Sequence, residues 1–146
     1  AMASIELKQL QSCIQGLTQP VLGICLGMQL MVERSEESLT DSTKCLGVIP
    51  GEVKRMLVGD LRLPHMGWNT VNAVEKNTLF KGIDAGSYFY FVHSFAVAVG
   101  KYTLAQTDYG MPFSAALHKD NFFGVQFHPE RSSDAGAALL KNFIEL

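Results

Sequence analysis

Apolar residues recur at helical spacing near both ends of the chain. Ile5, Leu7, Leu10, Ile14 and Leu17 fall near helical spacing, with Ser4 placed to cap a helix and Gly16 placed to end it. Pro20 then excludes any continuation of that helix. The segment 135–144 has the same spacing, so a further helix is predicted to close the chain.

Short apolar runs separated by turn residues predict strands through the rest of the chain. The first, 21–24, leads into a helix predicted to reach about Arg34, and the acidic, hydroxyl-rich stretch 35–44 predicts a loop. Further strands are predicted at 46–49, 53–58, 71–74, 88–92, 102–106, 113–117 and 122–127. Helix–strand–helix at the front, with mainly strands behind it, predicts an α/β fold with an antiparallel extension.

The composition is that of an ordinary globular domain. The chain has 146 residues, 47 % hydrophobic and 18 % charged, which suits one domain over 1–146 with its own core. The net charge of −2 gives no electrostatic reason to expect binding to nucleic acid or to an anionic membrane. No apolar run reaches membrane-spanning length and no signal-peptide pattern opens the sequence, so we expect a soluble, cytoplasmic protein.

The three cysteines are scattered without metal-ligand spacing, which favours neither a zinc site nor a disulfide framework and fits a reducing compartment. Cys13 and Cys45 are expected to be small buried hydrophobes. Cys25 differs because it lies between Gly23 and Gly27, after a predicted strand and before a predicted helix. This is the form of a nucleophile elbow, in which side chains at the flanking positions would collide with backbone. The helix N-terminus is expected to favour the thiolate of Cys25.

A second chemical element follows about a hundred residues later, at His128-Pro129-Glu130. Pro129 stiffens the backbone, and the i, i+2 spacing places both side chains on one side of an extended segment. Glu130 can then hold one imidazole nitrogen of His128 while the other faces Cys25, as in a catalytic triad. The alternative is a solvated His–Glu pair in a loop.

Together these two elements resemble the class I, triad-type glutamine amidotransferases. The matching stretches are GICLGMQ at 23–29 and FHPE at 127–130. Further stretches are similar to the glutaminase subunits of imidazole glycerol phosphate synthases: CLGMQL at 25–30, SEE at 35–37, PHMGWN at 64–69 and YFVHSF at 90–95. The resemblance runs from the first helix to the last residue and implies a flavodoxin-like central sheet with an antiparallel extension.

The resemblance implies a glutaminase reaction. Cys25 would attack the side-chain amide of glutamine, His128 would act as general base and then general acid, and Glu130 would orient it. The backbone N–H of Leu26 would donate to the oxyanion. No metal or organic cofactor is expected.

Further roles follow from the same resemblance. Gln29, Glu37 and the Ser94-Phe95 backbone would bind the amino-acid end of glutamine. The ammonia would pass to a cyclase partner, a (β/α)₈ barrel, which makes imidazole glycerol phosphate in histidine biosynthesis. Trp68, interpreted as part of a surface turn, and Arg131 match positions that meet this partner.

The sequence also departs from the family. The family's first strands, and a Pro-Gly-Val-Gly-type loop that completes the oxyanion hole, have no counterpart here. We therefore expect a domain incomplete at its N-terminus, with exposed sheet edges and a tendency to self-associate. Three alternatives remain open: the amidotransferase of another synthase (anthranilate or GMP), a non-catalytic partner-binding module, and a cysteine hydrolase such as a peptidase or γ-glutamyl hydrolase.

Overall fold

The computed structural model describes residues 1–37, 42–74 and 76–146. Its elements are α1 (Met2–Leu7), α2 (Gln11–Gln15), β1 (Val21–Ile24), α3 (Leu26–Met31), β2 (Arg34–Ser35), β3 (Thr43–Lys44), β4 (Glu52–Arg55), β5 (His65–Ala73), β6 (Ser87–His93), β7 (Phe95–Val97), β8 (Thr103–Asp108), β9 (Pro112–Lys119), β10 (Phe122–Val125), a 3₁₀ turn (Pro129–Arg131) and α4 (Ser133–Ile144).

The main sheet has six strands in the order β1-β10-β9-β8-β5-β6. β1 and β10 are parallel, with Val21 opposite Phe122 and Ile24 opposite Val125. The other neighbours in this sheet are antiparallel. The predicted α/β sheet with an antiparallel extension is therefore confirmed, and the parallel pair brings the carboxyl ends of β1 and β10 together.

A smaller sheet of four strands has the order β3-β2-β4-β7. β6 and β7 belong to different sheets although only Ser94 separates them. The Ser94 carbonyl accepts a hydrogen bond from the Met56 N–H at 3.0 Å, just past the end of β4. The chain therefore crosses between the two sheets at Ser94.

The largest hydrophobic cluster holds most of the buried phenylalanine side chains. Phe89, Phe91, Phe113 and Phe127 are fully buried in it, together with Leu139 of α4. Along β6 burial alternates with a period of two, as expected for a strand with one face toward the core. No helix within the described ranges is long and apolar enough to span a bilayer.

Two helix predictions need correction. The N-terminal apolar periodicity gives two short helices rather than one, because the chain breaks between α1 and α2, where Gln9 adopts φ +54°. α3 ends at Met31, before the predicted end near Arg34, and Arg34 already pairs in β2. Helical spacing does not encode these breaks, since they depend on what each segment packs against.

The predictions for 35–44 and 46–49 were also partly wrong. The first stretch contains strand residues at both ends, while residues 38–41 lie outside the described part of the chain. The second forms no strand. The N–H groups of Leu46, Gly47 and Ile49 donate instead to backbone carbonyls at the C-terminal end of α3, at 2.8–3.0 Å. This apolar run therefore satisfies the free carbonyls of a helix end rather than a sheet ladder.

Trp68 lies within β5, so the prediction of a surface turn there was wrong. It pairs with Tyr90 of β6 in an antiparallel register that continues from His65 to Val71. Gly67 adopts φ +130°, a conformation that suits glycine and lets the strand continue through the glycine-containing segment. Trp68 is nevertheless 52 % exposed, as a surface position requires.

Candidate active site

Cys25 occupies a strained turn between β1 and α3. Its backbone has φ 50° and ψ −104°, which a residue with a side chain rarely adopts. A Cβ at Gly23 would lie 2.6 Å from the backbone carbonyl carbon of Gly27, so only glycine fits at position 23. A Cβ at Gly27 would meet nothing within 4 Å, so the steric constraint applies to the first glycine and not to the second.

The parallel pairing of β1 and β10 brings the two predicted chemical elements to one place. The Cys25 N–H donates to the Val125 carbonyl at 2.7 Å, and His128 follows three residues after Val125. Ligands of α/β proteins bind at the carboxyl ends of parallel strands, which is where these side chains lie. The arrangement of the sheet therefore makes a nucleophile and a base neighbours.

His128 and Glu130 form the predicted pair, with Nδ1 of the ring 2.7 Å from Oε1 of the carboxylate. The intervening backbone is a 3₁₀ turn rather than the predicted extended segment. Glu130 is half exposed, whereas only 23 % of the His128 side chain is accessible. Since Nδ1 faces the carboxylate, Nε2 is the nitrogen available for proton transfer.

The backbone around His128 is held against β6. The His128 N–H donates to the Tyr90 carbonyl at 2.8 Å, and the Tyr90 N–H donates to Ser132 Oγ at 3.0 Å. The Ser132 hydroxyl in turn donates to the His128 carbonyl at 2.6 Å. This closed set of bonds fixes the position of His128 relative to the main sheet.

The environment of the Cys25 thiol opposes ionisation. Burial raises the pKa of the thiol, and the negative charges of Glu37 and Glu130 raise it further. The Leu26 N–H and the Gln126 amide act in the opposite direction, without overcoming the effect of burial. The start of α3 therefore acts in the expected direction through the Leu26 N–H, but the pKa of the thiol is raised overall because desolvation of the thiolate is the larger contribution.

The sulfur also has a side-chain hydrogen-bond partner, Gln126, to which the sequence analysis assigned no role. Its Nε2 lies 3.7 Å from Cys25 Sγ. Within the described ranges, no hydrogen bond joins Cys25 directly to His128. The signal available in the sequence was a single amide in an otherwise apolar stretch leading to His128, and in the structure this amide is fully buried.

A cleft of about 380 Å³ lies beside the elbow, and its lining includes Leu26, Gln29 and Glu37. Its lining does not include Ser94 or Phe95, nor Cys25 or His128, which lie next to it at the elbow. The Gln29 side chain is 3 % exposed, and its Nε2 donates to the Phe95 carbonyl and to Gln126 Oε1, both at 3.2 Å. The amide N–H groups of Gln29 are thus already bound to protein atoms.

Trp68 and Arg131 are both at the surface. The Trp68 ring meets Tyr90 edge to face, with centroids 6.1 Å apart. Arg131 lies at the end of the 3₁₀ turn, and its N–H donates to the His128 carbonyl at 3.0 Å. Trp68 therefore contacts a residue that holds the candidate base, and Arg131 contacts the base itself through its backbone.

A buried pair of histidines, also missed from sequence, lies behind this site. Nδ1 of His65 is 3.0 Å from Nε2 of His93, and Nδ1 of His93 is 2.8 Å from the Phe95 carbonyl. The exposed fractions of the two side chains are 3 % and 6 %. Each lies at a position of its strand that faces the core, so the alternation of inward and outward positions identifies it as a buried polar residue.

Known families and proteins match the chain over almost its whole length. A family model described as "Glutamine amidotransferase class-I" matches residues 3–146. The protein "Imidazole glycerol phosphate synthase subunit HisH" of Vibrio parahaemolyticus is 55 % identical over 149 residues, covering 100 % of this chain and 73 % of that protein. The HisH protein of Escherichia coli K12 is 56 % identical over 146 residues, covering 100 % and 74 %.

Solved structures share the fold. A protein described as part of a GMP synthase, from Thermoplasma acidophilum, superposes with a TM-score of 0.68 at 18 % identity, over 95 % of this chain and 62 % of that one. A glutamine amidotransferase from Thermotoga maritima gives a TM-score of 0.62 at 23 % identity, over 94 % and 50 %. At these identities the similarity supports the fold and nothing finer.

The family match over residues 3–146 and the elbow that carries Cys25 define the class: the chain belongs to the class I glutamine amidotransferases. Within that class, identities above 50 % over the whole chain place it with the HisH subunits of imidazole glycerol phosphate synthase, the glutamine amidotransferases of histidine biosynthesis. This agrees with the family that the sequence motifs indicate.

Proposed function

We propose that this chain hydrolyses glutamine to glutamate and ammonia through Cys25, His128 and Glu130. The observation that carries the proposal is the strained elbow of Cys25 at the end of β1, beside the 2.7 Å His128–Glu130 pair that follows the parallel neighbour β10. Such strain in a residue with a side chain is typical of a functional site.

The first step forms a thioester. His128 Nε2 takes the proton of the Cys25 thiol as Sγ attacks the side-chain amide carbon of glutamine, and Glu130 stabilises the resulting imidazolium through Nδ1–H. The Leu26 N–H, which already lies against the sulfur, donates to the oxyanion of the tetrahedral intermediate. His128 then returns the proton to the departing nitrogen, and ammonia leaves.

The second step releases glutamate. His128 takes a proton from water as the water oxygen attacks the thioester carbonyl, and the C–S bond breaks as His128 returns that proton to the departing Sγ. Glutamate leaves with its new carboxyl proton lost to solvent, and Cys25 is again a free thiol. The cleft beside the elbow would hold the rest of the substrate. Glu37 supplies a negative charge there, which complements the α-ammonium group of glutamine.

Gln29 and the Ser94-Phe95 backbone have a less direct part in this proposal than the resemblance implied. Gln29 lines the cleft, but its N–H groups are bound to Phe95 and Gln126, which leaves its Oε1 for the substrate. The Ser94 and Phe95 carbonyls accept hydrogen bonds from protein donors. We therefore expect Ser94 and Phe95 either to hold the Gln29 side chain in place or to bind the substrate through their own backbone N–H groups.

The ammonia would serve a partner. Because the relatives are named as subunits of imidazole glycerol phosphate synthase, we propose that a (β/α)₈-barrel cyclase receives the ammonia. Trp68 and Arg131 are proposed to contact that partner, since both are exposed and both adjoin His128 or a residue that holds it. The raised pKa of Cys25 fits a glutaminase that is slow until the partner binds.

The test is glutamate release from glutamine by this chain, with and without the cyclase subunit of a HisH-containing synthase, beside the Cys25→Ala variant. We expect turnover that rises with the cyclase and is absent from the variant. Binding of the cyclase without any turnover would instead support the partner-binding module. Turnover that is independent of the cyclase would favour a cysteine hydrolase.

A further inference from the structure

A continuous series of hydrogen bonds leads from the sulfur of Cys25 into the core. Gln126 Nε2 lies against Cys25 Sγ at 3.7 Å, and Gln126 Oε1 accepts a hydrogen bond from Gln29 Nε2 at 3.2 Å. Gln29 Nε2 also donates to the Phe95 carbonyl at 3.2 Å, and His93 Nδ1 lies 2.8 Å from that same oxygen. Gln126 is fully buried and Gln29 nearly so, hence water does not compete for these groups.

The partners at the inner end fix which way each amide points. The Phe95 carbonyl only accepts hydrogen bonds, so the Gln29 atom beside it must be the NH₂ group. The Gln126 atom that faces the same NH₂ group must then be the oxygen. This leaves the NH₂ group of Gln126 facing Cys25, where a reversed amide would present an oxygen to the sulfur instead.

The same reasoning fixes the protons of the histidine pair. His93 donates from Nδ1 to the Phe95 carbonyl, so its Nε2 is the acceptor in the neutral ring. His65 must then donate from Nδ1, and its Nε2 faces the Asn69 amide at 3.4 Å. Both neutral rings therefore have a defined tautomer, and together they hold the Phe95 carbonyl in place.

We propose that Gln126 is a positioning residue of this site: its side-chain N–H holds Cys25 Sγ and supports the negative charge that the sulfur acquires, and Gln29 keeps that N–H pointed at the sulfur. The proposal rests on the glutaminase function of Cys25. It gives Gln29 an orienting role toward the nucleophile in addition to its place in the cleft.

The electrostatics of the site show why such a donor is needed. Burial, Glu37 and Glu130 all raise the pKa of the Cys25 thiol. Of the groups that lower it, one is the Leu26 N–H, which the oxyanion also requires during the reaction. The other is Gln126, which stays on the sulfur. A hydrogen bond to a charged group is among the stronger ones in proteins, so loss of this donor is expected to matter.

The test is the pH profile of Cys25 alkylation by iodoacetamide, measured peptide by peptide on the full chain, so that Cys25 and Cys45 are measured separately. It requires neither glutamine nor the cyclase. In Gln126→Met, which keeps the length of the side chain without the donor, we expect the midpoint of the Cys25 profile to move up by about one pH unit. That shift means about tenfold less thiolate at neutral pH.

Cys45 serves as the internal control because it is 2 % exposed and its thiol faces the Thr43 carbonyl at 3.6 Å rather than a member of the amide series. A shift at Cys25 with Cys45 still protected supports the proposal, and an unchanged Cys25 profile with Cys45 protected overturns it. If Cys45 becomes reactive, the substitution has loosened the fold, and Gln29→Met is used instead. That variant leaves the donor in place but frees it to rotate, so we expect a smaller upward shift, and no shift again overturns the proposal.

A separate measurement keeps this proposal distinct from the function on which it depends. Glutamate release by the unsubstituted chain with its cyclase tests the glutaminase function alone. A chain that shows the Gln126-dependent thiol shift but never releases glutamate would refute the function and leave the hydrogen bond established. If the unsubstituted chain releases glutamate but the pH profile of Cys25 alkylation is unchanged in Gln126→Met, only the proposed role of Gln126 is refuted.

Discussion

Nδ1 of His65 and Nε2 of His93 lie 3.0 Å apart within the core. His65 stacks on Tyr109, with ring centroids 4.1 Å apart, and His93 meets the edge of Phe113 at 5.0 Å. Burial lowers the pKa of each ring to about 4, and each feels a nearby histidine as well, His93 in the case of His65 and His128 in the case of His93. The neutral pair is therefore part of the folded structure.

This pair predicts a pH dependence of stability. A folded-state pKa lowered from 6.5 to about 4 means that the unfolded chain binds protons in this window and the folded chain does not. Stability is fully present above pH 6.5 and falls as the pH drops toward 4, by about 3 kcal/mol for each proton. Urea unfolding between pH 7.5 and 4 measures this slope.

The matched variants are His65→Gln and His118→Gln. The first is expected to flatten the pH dependence by removing one of the two buried rings. The second changes a histidine that stacks on Phe123 at another part of the main sheet, with centroids 4.2 Å apart, and should leave the slope due to the pair intact. Equal slopes in all three proteins would contradict the assignment.

The elbow predicts that its two glycines respond differently to the same substitution. Gly23→Ala places a methyl group 2.6 Å from the Gly27 carbonyl carbon, so we expect a loss of several kcal/mol, on the order of 3 or more, in the free energy of unfolding. Gly27→Ala meets open space within α3, where alanine is favoured over glycine by up to about 1 kcal/mol. Urea midpoints of the two variants are the measurement, and equal losses would show that the elbow relaxes.

Substitution of Glu130 is expected to reduce turnover without unfolding the protein. Glu130→Gln removes the carboxylate that orients and stabilises the His128 ring, while the position is half exposed and carries little packing. We expect kcat for glutamate release with the cyclase to fall by about a hundredfold or more. Glu145→Gln is the control, because Glu145 pairs with Lys141 at the surface of α4, away from the elbow. An unchanged kcat in Glu130→Gln would mean that His128 needs no orienting group.

Removing the charge of Glu37 is expected to lower the pKa of the Cys25 thiol and to raise KM for glutamine. Its charge raises the pKa of the Cys25 thiol, so Glu37→Gln should move the alkylation profile of Cys25 to lower pH. The same change removes the proposed partner of the glutamine ammonium, so KM for glutamine should rise by about tenfold. Glu36→Gln is the neighbouring control, since the Glu36 carboxylate accepts the Arg55 N–H instead. A raised thiol pKa in Glu37→Gln would contradict the predicted charge effect.

Substitution of Trp68 is expected to weaken binding of the cyclase without affecting stability. Its ring is 52 % exposed, so Trp68→Ala should leave the urea midpoint nearly unchanged. Large exposed aromatic residues often dominate interface energies, and we expect the Kd for the cyclase to rise at least about tenfold. Leu57→Ala, at an 81 % exposed position, is the control for loss of surface apolar area. Equal Kd values for Trp68→Ala and the unsubstituted chain would place the interface elsewhere.

The elements with strong local signals could be predicted from the sequence. β1, β6, β10 and α4 follow from their apolar patterns, with ends within two residues of those predicted. Local patterns failed where hydrogen bonds to residues distant in the sequence fix the conformation of a backbone segment. The apolar run 46–49 donates hydrogen bonds to the C-terminal end of α3 instead of forming a strand. The Gly67-Trp68 segment is a strand rather than a turn because it pairs with β6.

For the site, the sequence by itself determined which chemical groups are available and the family to which they belong. Cys25, His128 and Glu130 stand out through residue type and short spacing, which are local properties. Only the tertiary structure decided the charge balance at Cys25, where burial outweighs the start of α3, and the direction of the Gln126 amide, which depends on an acceptor at Phe95. Desolvation and hydrogen-bond direction are set by atoms far apart in the chain, so no local pattern contains them.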